Sequence, residues 1–140
     1  MEEMYFDHEK LKVYQKALEF VKWGHAVLKS IGKKNSTTDQ FDRAADSIVL
    51  NIAEGNGKFS KKDKCRYFDI SKGSTLESAG CLDLMYVKEM INSETKSEGK
   101  LQLKEIVSML MGLIKANSDR VYEDEFEYGT QKEDQEQDHE

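Results

Sequence analysis

The chain has 140 residues and 38% hydrophobic content, which suits one domain with a modest core. Its formal charge of −6 is uneven, because residues 123–140 hold nine acidic side chains against Lys132, a net −8. The first 122 residues carry twenty basic and eighteen acidic side chains, or about +2. We expect a folded domain over 1–122 and an acidic, disordered tail over 123–140, which has too few apolar residues to order.

Two classes of protein are excluded at this stage. No apolar run approaches the roughly 18 residues of a membrane span, and residues 1–10 are too polar for a secretory signal peptide. Cys65 and Cys81 fall on one predicted helix, about 24 Å apart by helical rise, too far for an intrachain disulfide. These features predict a cytoplasmic protein with no membrane contact and with reduced cysteines.

Four helices and no strand are expected, and the absence of proline allows long helices without a forced kink. The first is predicted over residues 8–31, with a connector at 33–36. Its apolar side chains recur every three or four positions: Leu11, Tyr14, Leu18, Val21, His25 and Leu28. We interpret His25 as a core or interface histidine rather than a catalytic base, because no nucleophile partner is evident.

The second helix is predicted to start after Thr37 or Thr38 and to stop at Gly55, which we expect in the left-handed conformation. Its end has apolar residues on nearly every side, a pattern typical of a segment covered from several directions. The face predicted to be buried consists of Phe41, Ala44, Ala45, Ile48 and Ile52.

The third helix is predicted over residues 60–91, with Ser60 as its N-cap. Gly73 and Gly80 in its interior suggest that a neighbouring helix approaches closely. Its buried stripe is unusually rich in small residues and consists of Phe68, Ser71, Ser74, Thr75, Ser78, Cys81, Leu82 and Met85.

The fourth helix is predicted over residues 100–122, after a polar loop at 92–99. Its apolar arc is broader than one bundle core requires, which predicts burial against other subunits. That arc consists of Leu101, Leu103, Ile106, Val107, Leu110, Met111, Leu113 and Ile114.

Four motifs occur in order along the chain. They are Phe6 with L-K-V-Y-Q-K-A at 11–17, R-A-A-D-S-I-V-L-N-I-A-E-G at 43–55 followed by Gly57, Ser60 and Lys61, G-S-T-L-E at 73–77, and I-V-S-M-L-M-G-L-I at 106–114. In this order they resemble the four-helix-bundle family encoded by intervening sequences in bacterial large-subunit ribosomal RNA genes. That family is related to the accessory proteins of diversity-generating retroelements.

The resemblance implies an antiparallel, up-down-up-down four-helix bundle that assembles into a homo-oligomeric ring, typically a homopentamer. It also implies association with nucleic acid and no enzymatic activity. Departures from the family pattern are small: Tyr14 stands where tryptophan is common, Val49 stands where many members have proline, and Ser78 and Ala79 interrupt a frequent E-L-E pattern.

Positive charge concentrates between the second and third helices. We name this cluster the basic turn; its members are Lys58, Lys61, Lys62, Lys64 and Arg66. Repeated around a ring, such a cluster would bind RNA or DNA phosphates in a salt-sensitive way. Lys33 and Lys34 offer further charge. The alternatives are a solvated turn with no ligand, and a scaffold that recruits a protein partner through the third and fourth helices without contacting nucleic acid.

Motifs typical of catalytic, metal-binding or cofactor-binding sites are weak in this sequence, so we predict no enzyme, no metal and no cofactor. A di-iron bundle needs core Glu-x-x-His pairs, and that spacing occurs only at Glu136 and His139 in the tail. The turn lacks the spacing of a phosphate-binding loop and has no preceding strand. A carboxylate cluster is conceivable, but capping, solvation or ion pairing is the stronger interpretation of Glu54, Asp63, Asp69 and Glu77.

Overall fold

The computed structural model describes residues 3–118, which contain a short 3-10 helix at Asp7–Lys10 and four α-helices. These are α1 (Lys12–Ile31), α2 (Ser36–Asn56), α3 (Lys61–Val87) and α4 (Ser93–Asn117). Residues 3–118 contain no strand, which confirms the all-α prediction. None of the described helices is long and apolar enough to cross a membrane. The predicted acidic tail and the last residues of the predicted fourth helix lie outside the described residues.

Side-chain caps set the starts of three helices. Ser60 Oγ accepts a bond from the Asp63 amide at 3.0 Å, which confirms the predicted cap of α3. Asn35 and Thr38 form a reciprocal capping box, so α2 begins at Ser36, earlier than predicted. Asn92 Oδ1 accepts from the Thr95 amide at 2.8 Å, and α4 begins at once. The polar loop predicted over 92–99 is therefore wrong.

The core lies where the small-residue pattern predicted it. All five residues of the predicted α2 face and all eight of the predicted α3 stripe are buried. Side chains from all four helices contribute to one apolar cluster. Its largest fully buried members are Phe20, Phe41, Phe68, Ile48, Ile52, Leu82, Met85, Leu103, Ile106 and Leu110.

The stripe predicted on α1 is only partly correct: four of its six members are partly buried against the core, but none lies on the most buried line. Leu18 and His25 are exposed, so the assignment of His25 to the core is wrong. The residues of α1 that are buried are Val13, Ala17, Phe20 and Gly24. Two of the four are Ala and Gly, which add little to a hydropathy pattern, and this explains why the line was missed.

Close helix approaches occur at glycines other than those predicted. A Cβ added to Gly99 would lie 2.5 Å from the Trp23 ring and 2.6 Å from Leu82, so α4 can approach only with hydrogen at this position. Gly73 and Gly80 have no atom within 4 Å of such a Cβ, so they permit no close approach within the chain. Trp23, partly buried against the core, also donates from Nε1 to Glu98 at 3.3 Å.

The apolar arc of α4 serves mainly the core of the chain itself. Leu103, Ile106 and Leu110 are buried, whereas Leu101 and Met111 are exposed. Ile52 at the end of α2 is likewise fully buried within the chain, while Leu50 on the same helix is exposed. Leu110 and Ile52 are therefore core residues, and their burial needs no second subunit.

Buried hydroxyls fasten α2 to α3. Ser71 Oγ donates to the Ile48 carbonyl at 2.9 Å, and the hydroxyls of Ser47 and Ser74 lie 2.7 Å apart. Thr75 and Ser78 bond to carbonyls of their own helix, so these hydroxyls are satisfied. Small, hydrogen-bonded side chains let the two helix backbones lie close together without unpaired polar groups.

The third helix stops four residues before its predicted end. The Glu89 amide donates to the Tyr86 carbonyl at 2.9 Å and the Met90 amide to the Met85 carbonyl at 2.8 Å, which is a Schellman ending. Glu89 takes the left-handed conformation at φ 62°, a position that normally favours glycine. The sequence offered no glycine to mark this end.

We expect Glu89→Gly to stabilise the fold by about 0.5–1 kcal/mol, because the substitution removes the left-handed strain of a side-chain-bearing residue. Urea unfolding followed by circular dichroism would show a higher midpoint with an unchanged slope. Lys88→Gly is the neighbouring control: Lys88 has φ −85°, so glycine relieves no strain there, and the loss of the Lys88 Nζ bond to Thr37 should lower the midpoint. Equal midpoint shifts in the two variants would contradict the interpretation.

Candidate nucleic-acid interface

The basic turn spans the short connection at residues 57–60 and the start of α3, and hydrogen bonds support the backbone of that connection. The amides of Gly57 and Lys58 donate to the Glu54 and Gly55 carbonyls at 3.2 and 3.1 Å. Lys64 Nζ donates to the Asn56 carbonyl at 2.7 Å, placing a positive charge at the C-terminal end of α2. Together with the Ser60 cap, these bonds hold the connection in one conformation.

Gly55 does not end the second helix, contrary to prediction. The helix continues through Asn56, and Gly55 is buried inside it. A Cβ at Gly55 would lie 2.9 Å from Tyr67 Cβ and 3.0 Å from the Phe68 ring. Glycine is required here because the start of α3 packs directly on the end of α2, and this contact sets the position of the basic turn.

Two of the five cations are partly neutralised. Lys58 lies 3.7 Å from Glu54, and Arg66 lies 3.6 Å from Asp63. Both also contact the Tyr67 ring, at 4.9 Å for Lys58 Nζ and 5.6 Å for Arg66 Cζ from the ring centre. With Lys64 bonded to the end of α2, three of the predicted site residues have contacts within the fold.

Lys61 and Lys62 differ from the other three cations of the basic turn, which have contacts within the fold. Both are exposed in the first turn of α3, and neither has an ion-pair partner within residues 3–118. They are the members of the basic turn whose charge is most available to an external phosphate.

Lys33 and Lys34 do not add to this cluster. They precede the start of α2, whereas Lys58 follows its end. The 21 residues of α2 span about 30 Å by helical rise, so the two groups of lysines lie at opposite ends of that helix.

Phe59 is a residue of this turn that sequence reasoning missed. Its side chain is fully exposed, between Lys58 and the Ser60 cap. A large aromatic side chain in a four-residue connection, outside any helical stripe, was the available signal.

The candidate acidic residues do not form a cluster. Glu54, Asp63 and Asp69 pair with Lys58, Arg66 and Lys72 of their own helix or turn, and the Glu77 carboxylate accepts from Gln40 Nε2. Within residues 3–118, no group of three or more metal-binding side chains is present.

Both cysteines are free thiols on α3. Desolvation by burial raises the pKa of Cys65 and that of Cys81, which favours the protonated, less nucleophilic form of each. This environment is that of packing residues rather than of an activated nucleophile.

These features define a class: an all-α, four-helix protein that carries a basic turn. The sequence profile of the 23S rRNA-intervening sequence protein family matches residues 9–112, and the chain belongs to that family. The family is described by a ribosomal RNA insertion and not by a reaction.

One solved structure has a similar fold. It is the crystal structure of a protein of unknown function from the S23 ribosomal protein family of Bacteroides thetaiotaomicron. The two chains are 25% identical and superpose with a TM-score of 0.66, covering 74% of this chain and 98% of that one. No curated protein matches the chain.

We expect Gly55→Ala to destabilise the fold by about 1–3 kcal/mol, since the new methyl group meets the rigid Cβ of Tyr67. Urea unfolding would measure the loss. The control is Gly112→Ala in α4, where the added methyl meets no atom within 4 Å and alanine's helix propensity should raise stability. Destabilisation of similar size in both variants would rule out the specific α2–α3 clash.

Proposed function

We propose that this protein is a nonenzymatic, homo-oligomeric helical bundle that binds RNA or DNA electrostatically through the basic turn. The observation that carries the proposal is the pair Lys61 and Lys62, which are exposed, close in sequence and without ion-pair partners in the described chain. Lysines of this kind attract phosphates regardless of base sequence, and they release counterions as they bind. The tight turn fixes where the two charges are presented.

The helices are proposed to run in an antiparallel, up-down-up-down order. Contacts between neighbouring helices support this order, because residue numbers that rise along one helix pair with residue numbers that fall along its neighbour. The supporting pairs are Phe20–Phe41 and Asp7–Asn56 near α1 and α2, Gln40–Glu77 and Ser47–Ser74 for α2 and α3, Cys65–Ile114 and Asp83–Lys100 for α3 and α4, and Lys16–Glu105 and Trp23–Glu98 for α1 and α4.

Self-assembly is proposed to use one exposed line of α3, which we name the outer stripe. Its members alternate in spacing by three and four residues, as in a coiled-coil seam, and all are exposed: Ile70, Gly73, Glu77, Gly80, Leu84 and Val87. Its two glycines leave open space outside the chain, which suits the backbone of a helix from a second copy. This assignment replaces the earlier expectation that α4 supplies the subunit contact.

The closed ring of five subunits and the relation to retroelement accessory proteins rest on the motif resemblance alone. A cytoplasmic location is proposed with them.

A protein-interaction scaffold is the second candidate. The exposed apolar residues Leu101 and Met111 on α4, with Leu76 on α3, favour it. In that case a partner protein covers α3 and α4, and nucleic acid makes no direct contact.

We expect Lys61→Ala with Lys62→Ala to weaken nucleic-acid binding and to lower the salt dependence. Each lost phosphate contact should reduce the slope of log K against log salt by about 0.9 on duplex DNA and about 0.7 on a single strand, or about 1.4–1.8 per engaged subunit for the pair. Fluorescence anisotropy with labelled RNA and DNA at several salt concentrations measures both effects. The fold should be unchanged, because both side chains are exposed.

The matched control is Lys33→Ala with Lys34→Ala, which removes the same charge about 30 Å away along α2. Its slope should remain near that of the wild type. Equal losses in the two variants would mean that binding follows total charge, and a wild type that binds neither RNA nor DNA at low salt would favour the scaffold.

We expect Leu84→Asp to lower the assembled mass, because it places an unpaired charge in the proposed subunit contact. Light scattering coupled to gel filtration should give a wild-type mass of several chains, five for the proposed ring, against 16.1 kDa for one. Leu84 is half exposed in the single chain, so helix content should be retained. Leu101→Asp, on exposed α4 surface, is the control, and a monomeric wild type at high concentration would refute assembly.

A further inference from the structure

Phe59 is an exposed aromatic ring held at a defined place. Its side chain is fully exposed to solvent, although burying a large aromatic side chain is favourable in free energy. The residues before and after it are held by hydrogen bonds: the Lys58 amide donates to the Gly55 carbonyl, and Ser60 Oγ accepts from the Asp63 amide. Thus the ring is presented from an ordered backbone, and a partner that contacts it has little backbone to immobilise.

The charges around Phe59 indicate what kind of partner suits it. Lys58 precedes the ring, and Lys61 and Lys62 follow it two and three residues later; both are exposed and have no ion-pair partner among residues 3–118. Arg66 and Lys58 both lie over the Tyr67 ring, which keeps these two cations close to one another. An apolar protein partner would have to desolvate these cations, whereas a nucleic acid would neutralise them with phosphates.

Aromatic rings beside a cationic track bind single strands, because the charges hold the backbone and each base offers a flat face for stacking. In a duplex the bases are stacked on one another, and only the phosphates are accessible to such a turn. The ring would therefore add affinity for a strand with unpaired bases and add little for a duplex.

We infer that Phe59 is a base-stacking residue and that the basic turn takes single-stranded RNA or DNA in preference to duplex. The inference rests on the proposed function and deepens it. Phosphate contacts by Lys61 and Lys62 supply the salt-dependent part of binding, and stacking on Phe59 supplies a part that salt changes little.

The test compares wild type, Phe59→Ala, Phe59→Leu and Phe59→Trp by fluorescence anisotropy. The probes are a labelled 12-nucleotide oligo(U), oligo(dT), an abasic strand with the same number of phosphates, and a 12-base-pair duplex. We expect Phe59→Ala to lose about tenfold or more on the two single strands, with an unchanged salt slope. Phe59→Leu should lose nearly as much, since it is apolar but not aromatic, and Phe59→Trp should bind like the wild type.

Affinity for the abasic strand and the duplex should be nearly the same in all four proteins. Equal losses on all probes, or no loss on any, would overturn the stacking role while leaving electrostatic binding in place. A lower assembled mass for Phe59→Ala would show that the ring packs against a second copy, which also overturns it. A wild type that binds none of the probes at low salt would remove the proposed function itself, and the stacking role with it.

Discussion

The close contact between the end of α2 and the start of α3 is the constraint on which the rest of this structure depends. Gly55 allows Tyr67 and Phe68 to pack against its backbone, and the Ser71 hydroxyl ties the same two helices together at the Ile48 carbonyl. The connection between them is consequently only four residues long. A compact turn with fixed ends is what brings lysines on either side of it into one cluster, so packing in the core determines the electrostatics of the surface.

Much of the fold could be predicted because buried residues recur in the sequence with the period of an α-helix. All eight residues of the α3 stripe were identified, although half are Ser or Thr, since their spacing is helical and the larger Phe68, Leu82 and Met85 mark the line. The same reasoning was only partly successful on α1, where the small Ala17 and Gly24 are buried and the larger Leu18 is exposed. Size matters more than hydropathy where helices cross closely, and a sequence pattern does not show where they cross.

The candidate site was only partly predictable, for a different reason. The five cations could be counted from the sequence, but their partners depend on side-chain geometry: Tyr67 orients Lys58 and Arg66, and Lys64 is committed to the end of α2. The distance from Lys33 and Lys34 to the basic turn could not be predicted from the sequence either. The bounds of α2 determine this distance, since Lys33 and Lys34 precede α2 and the basic turn follows its other end.

The packing of Trp23 against Gly99 gives the protein a built-in optical reporter. It is the chain's single tryptophan, and its indole contacts the first turns of α4 while bonding to Glu98. The start of α3 contacts the other end of α4, at Ile114, about 24 Å away by helical rise. Intrinsic fluorescence should therefore follow the docking of α1 on α4 without direct quenching by anything bound at the basic turn, so conformational integrity and ligand occupancy can be read from separate signals in one sample.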